Sequence, residues 1–164
     1  CIDTPGHALH HYSVWDAATR SWFAGDTFGL SYRGLDTANG AFALPTTSPV
    51  QFDPDQMHAS IDKLIAKSPE SIRIAHYGEV TECARLAADL HVQIDAMVAI
   101  ARDAHGHPDR HARIVEGLTQ LYVTRAVAHG IEDADARVQD ILGGDIVINA
   151  QGLGVWLDRQ ARAG

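Results

Sequence analysis

Apolar positions change their spacing once along the chain, near residue 78. Before that point they come in short runs. His11-Tyr12-Ser13-Val14-Trp15, a polar stretch over 16–21, then Trp22-Phe23-Ala24 predict a β-hairpin. Cys1-Ile2-Asp3 reads as a strand leading into it, and 28–32 as a short extended piece or loop. Residues 33–53 hold no period and carry Gly34, Asn39-Gly40, Pro45 and Pro49, a long loop of the kind that often serves function. A helix should follow, with Asp53 as its cap, Pro54 in the first position and Gln56 completing a capping box. Met57, Ile61, Leu64 and Ile65 give it an apolar face, and Lys67-Ser68-Pro69 ends it. Ile72-Arg73-Ile74-Ala75 reads as a brief strand with His76 at its end, after which Gly78 releases the chain.

From Glu79 the period is helical. Cys83, Leu86, Leu90, Ile94, Met97 and Ala101 predict a helix of about 25 residues, broken by His105-Gly106-His107-Pro108. Further helices are predicted over 109–128, over 133–142 where Gly143-Gly144 should stop the third, and after Asn149, which would cap the last. Hairpin, helix, strand is the order of an α/β layer arrangement. The expected division is a sheet-bearing part, 1–78, and a helical extension, 79–164.

Composition narrows the function. With 46% hydrophobic residues, 164 positions can fill a core. A net charge of −8 and the lack of any basic run argue against nucleic acid and anionic membrane surfaces as partners. No apolar stretch approaches the roughly 18 residues of a spanning helix. Two cysteines, Cys1 and Cys83, make no disulfide framework, so a cytoplasmic setting is expected. No Gly-x-Ser-x-Gly occurs to supply a serine nucleophile.

The candidate chemistry is concentrated near the start. His7, His10 and His11 fall within five residues after a Pro5-Gly6 turn, and the hairpin should carry His7 and Asp26 to one end of a sheet. Imidazole and carboxylate gathered there suit zinc or iron. Thr4-Pro5-Gly6-His7 with His11 four residues on, Gly25-Asp26-Thr27, and a strand ending in His76-Tyr77-Gly78 resemble the metallo-β-lactamase fold hydrolases, among them glyoxalase II-like thioesterases and lactonases. The resemblance covers roughly residues 1–80. It implies the α/β class: the C-terminal half of an αββα metallo-β-lactamase fold, followed by a helical tail. The His-x-His-x-Asp-His motif that precedes this stretch in the family is absent, so the chain is expected to be the C-terminal part of a longer metallohydrolase.

The same resemblance implies two divalent metal ions, zinc or iron, with His7 on one, His76 on the other and Asp26 bridging them. It makes His11 a hydrogen-bonding partner that orients the ligands, leaves His10 as an insertion of open role, and sets the 33–53 loop beside the metals as a pocket wall. Tyr32 and Tyr77 are candidate donors to a substrate oxyanion. His105, His107, His111 and Cys83 are scattered over the helical part, as helix-end or surface residues. The implied reaction is hydrolysis of an ester, thioester, lactone or amide in a small-molecule substrate by hydroxide formed from metal-bound water. The fold does not set which substrate. Two other classes stand beside it. One is a non-enzymatic helical interaction segment; the other is an iron-dependent sulfur dioxygenase, whose glycine and arginine signatures residues 27–33 do not match. Counting ligands gives each ion at most two protein donors, where a catalytic zinc site usually has three plus water. Residues 1–164 alone are therefore expected to hold metal weakly, to hydrolyse nothing, and to form homodimers or aggregates through the helical tail or a bare sheet face.

Overall fold

The computed structural model describes residues 1–47, 51–76 and 78–163. Its sheet has five strands in sequence order: β1 (Ile2–Asp3), β2 (Tyr12–Asp16), β3 (Ser21–Gly25), β4 (Ser71–Ile74) and β5 (Gly78–Val80). The β2–β3 hairpin is antiparallel, with Trp15 opposite Trp22 and Val14 opposite Phe23. β3 and β4 run parallel. Parallel neighbours need a long crossover, and the chain supplies it as residues 26–70, including helix α1 (Pro54–Ile65). β5 is a strand that the helical reading from Glu79 missed. Three residues after a glycine turn are too short for a period to show, and pairing with β4 decides them.

Helix α1 starts at the cap its sequence predicts, but without the full capping box. Asp53 Oδ1 accepts the Gln56 backbone N–H (3.0 Å), while the Gln56 side chain donates to Asp53 Oδ2 (2.9 Å) because the Asp53 N–H is taken by the Gly6 carbonyl. Met57, Ile61 and Leu64 are buried, and the Trp22 indole N–H donates to the Leu64 carbonyl (2.9 Å), tying α1 to the inner face of the sheet. Trp22, Ala24, Ile72 and Ile74 fill that face, while Tyr12, Val14 and Phe23 point outward and are exposed.

Three helices complete the chain: α2 (Cys83–Asp103), α3 (Arg110–Ala128) and α4 (Ala134–Ala163). Here the structure corrects the sequence reading. Gly143-Gly144 does not stop a helix, and Asn149 does not cap one; α4 runs through both as 30 continuous residues. Helix propensity charges about 1 kcal/mol for each glycine, and the burial of Val138, Leu142, Ile146, Ala150 and Leu153 on one side of α4 outweighs it. Asn149 is buried and used laterally. Its Oδ1 accepts the Thr47 N–H (2.8 Å), and its Nδ2 donates to the Pro45 carbonyl (3.2 Å). A Cβ on Gly152 would lie 2.3 Å from the Thr47 carbonyl oxygen, so the loop can rest on α4 only at a glycine. The buried residues of sheet, loop and helices form one continuous core. Among the described residues, no helix is long and apolar enough to cross a membrane.

Candidate metal centre

The candidate site lies at one end of the sheet. Three segments meet there: the loop between β1 and β2, the residues after β3, and the turn after β4. The parallel pairing of β3 with β4 puts the carboxyl ends of both strands side by side, where open α/β sheets bind ligands. The Ala75 N–H donates to the Gly25 carbonyl (3.1 Å), which draws the His76 turn against Asp26.

His7 arrives through the Pro5-Gly6 turn. Thr4 N–H bonds to the His11 carbonyl (2.9 Å), closing the loop, and Asp53 N–H bonds to the Gly6 carbonyl (2.8 Å), docking it on the start of α1. Gly6 has φ +133°, and a Cβ there would stand 2.5 Å from the Met57 backbone. Only glycine meets both conditions.

Asp26 sits between two imidazoles. His7 Nε2 lies 3.7 Å from its Oδ2, and His76 Nε2 lies 3.2 Å from its Oδ1. His7 is mostly buried, with its side chain 12% exposed, whereas that of His76 is 54% exposed. His7 Nδ1 faces the Thr46 carbonyl at 3.4 Å. Donation there leaves Nε2 as a lone pair turned towards a carboxylate, and a metal-ligating histidine is commonly oriented in this way.

His11 is consumed by hydrogen bonds. The Asp26 backbone N–H donates to its Nε2 (3.2 Å), so the ring proton belongs on Nδ1. From there it goes to Thr27 Oγ1 (2.9 Å), whose own hydroxyl donates to the Thr4 carbonyl (3.1 Å). Burial first, and His7 second, hold the His11 imidazole below its ordinary pKa, against a smaller upward pull from Asp26. A neutral ring with both nitrogens engaged fixes the Asp26 loop and has no lone pair left for a metal. The Thr4–Thr27–His11 chain and the Thr46 carbonyl were invisible in the sequence, since these contacts join segments far apart in it.

The remaining candidates are placed as follows. The Tyr32 hydroxyl donates to Asp145 on α4 (2.6 Å). Tyr77 lies outside the described residues, as do residues 48–50 of the long loop. His10, His105, His107 and His111 are exposed. Cys83 heads α2 but is buried, and burial pushes its thiol pKa up. The long loop divides. Thr46 and Gln51 border the His7 loop, the latter accepting the Leu9 N–H (3.0 Å). Gly34, Asp36 and Thr37 instead line a cleft of about 640 Å³ against the α3–α4 connection.

The fit to a metal rests on Asp26. Its Oδ1 is buried and, although His76 Nε2 is 3.2 Å away, accepts no hydrogen bond from the described residues, a need that a cation would satisfy. Two imidazole nitrogens flanking a carboxylate are the right donors for zinc or iron. The set is partial: among the described residues, no group of three or more His, Cys, Asp or Glu forms a metal-holding cluster.

No protein-family model matches the chain, and no curated protein does. Solved structures do match. An archaeal metallo-β-lactamase superfamily protein from Sulfolobus tokodaii superposes with a TM-score of 0.53 at 24% identity, over 93% of this chain and 44% of that one. A metallo-β-lactamase family protein from Thermus thermophilus gives 0.53 at 15%, over 98% and 44%. At these identities the likeness is one of fold. The chain has part of the metallo-β-lactamase fold and spans less than half the length of the structures it matches.

Proposed function

From a partial metallo-β-lactamase fold as premise, we propose that this chain forms one part of a metal-dependent hydrolase. Its substrate would be a small molecule with an ester, thioester, lactone or amide bond. The observation that carries the reading is Asp26, with one carboxylate oxygen facing His7 and the other facing His76. His7, Asp26 and His76 would hold two divalent ions, zinc or iron, with further ligands from outside these 164 residues. When bound, such ions polarise a carbonyl and bring the pKa of a coordinated water to about 7.

The chain's own residues do the positioning. Asp26 brings a negative charge that would offset two cations. His7 is oriented through Nδ1 by the Thr46 carbonyl, and His11 holds the Asp26 backbone in place. His76 is half-exposed, so an ion held there would be open to a substrate arriving from solvent. No residue here is assigned as a covalent nucleophile.

The test is made in the longest form of the protein that carries these residues. Substitution of His7, Asp26 or His76 by Ala should each remove most activity towards thioester or lactone substrates and lower bound zinc and iron. Unchanged metal content in Asp26→Ala would remove the bridging assignment. Full activity in all three variants would remove these residues from the site, whereas no activity and no bound metal in the unsubstituted protein would favour the non-catalytic interaction reading instead.

A further inference from the structure

A second histidine cluster lies on the other side of α1, independent of the site above. α1 and α2 each carry a histidine with an aspartate four residues on: His58 and Asp62, His91 and Asp95. An i, i+4 pair shares one helix face, and here the two faces meet. The imidazoles meet edge to edge, with centroids 4.9 Å apart and planes 12° from parallel. The aspartates are exchanged between helices: His58 Nε2 lies 3.2 Å from Asp95 Oδ1, and His91 Nε2 lies 3.1 Å from Asp62 Oδ1. The two Nδ1 atoms converge to 2.6 Å.

The proton count makes this arrangement specific. A carboxylate only accepts, so each Nε2 must carry a proton. Two neutral rings protonated on Nε2 then point bare Nδ1 lone pairs at each other, which is repulsive unless an electrophile lies between them. A shared proton meets that need. A divalent metal meets it as well, and carboxylates behind the Nε2 atoms are the arrangement that orients histidine ligands and raises their basicity.

We propose that His58 and His91 form a two-histidine site for a nitrogen-preferring divalent cation such as zinc, clamping α1 to α2. Both Nδ1 atoms are the ligands, Asp95 and Asp62 hold the rings, and water completes the coordination. Zinc–nitrogen bonds of about 2.0–2.1 Å require the Nδ1 atoms to part by roughly 0.7 Å for tetrahedral coordination. The rings can do so, because both side chains are about a quarter exposed (25% and 28%).

The probe is Zn²⁺ alone, titrated into the whole chain carrying His7→Ala and His76→Ala, which separates this site from the one proposed above. One zinc should bind and move the Nδ1 resonances of His58 and His91 in ¹⁵N-detected imidazole spectra. His58→Ala or His91→Ala should abolish the response, and Asp62→Asn or Asp95→Asn should weaken affinity about 10–100-fold. Metal on Nε2, unmoved resonances, or affinity unchanged in both Asn variants would overturn the proposal, leaving a shared proton as the bond between the rings.

Discussion

At the scale of single residues, the site depends on a position that bears no chemistry. Gly6 lets the loop from Thr4 to His11 turn under the N-terminus of α1, with φ +133° and no room for a Cβ beside Met57. A non-glycine residue in such a conformation costs on the order of 1–3 kcal/mol, and here the contact is with backbone that cannot rotate away. Gly6→Ala should therefore lower stability by at least that much, read as a reduced urea midpoint. It should also loosen the hydrogen bond from Asp53 to the Gly6 carbonyl. An unchanged midpoint would show that the His7 loop takes another path. The sequence singled out this Pro-Gly turn because turn chemistry is local. It could not show that Met57, far along the chain, is what forbids a side chain.

At the scale of elements, α4 is where pattern and packing disagree. Two adjacent glycines carry the local signature of a helix end, yet the helix continues because its apolar face is buried on both sides of them. The glycines are then a residual weakness. A Cβ on Gly144 would meet nothing within 4 Å, so Gly144→Ala should stabilise the protein by about 0.5–1 kcal/mol, measurable as a raised thermal midpoint. Destabilisation would instead indicate a break at this point. By contrast the start and buried face of α1 were readable, since the Asp53 cap, Pro54 and the Met57-Ile61-Leu64 face all lie within one helix and agree; only the return bond of Gln56 differs, because a distant carbonyl, Gly6, takes the Asp53 N–H.

At the scale of the whole molecule, the described residues cover the sheet on one side only. α1 seals the inner face, while Tyr12, Val14 and Phe23 remain on the outer one at 61%, 41% and 49% exposure. Arg73 lies across the Phe23 ring, 4.9 Å from its centroid, but shields one residue. Burying a residue of this size stabilises by about 1.5–3 kcal/mol. Residues 1–164 by themselves should therefore self-associate, and the pair Val14→Lys with Phe23→Glu should weaken that association at least tenfold. Sedimentation equilibrium decides: a wild-type chain that is monomeric at high concentration would mean this face needs no partner.

The sequence by itself determined what depends on near neighbours: the hairpin, the capped first helix, the helical period after residue 83, and the turn that presents His7. It also singled out His7, Asp26 and His76 by motif, without the distances between them. Tertiary structure alone decided the rest. β5 exists because β4 pairs with it, and α4 is unbroken because its neighbours bury it. Asn149 is a lateral clamp because Pro45 and Thr47 lie against it. The approach of two imidazoles to one carboxylate, and of His58 to His91, joins segments 19 to 69 residues apart. Periodicity reports which face of an element is buried; it carries no information about which distant element will cover that face, and both histidine clusters are built from that second kind of contact.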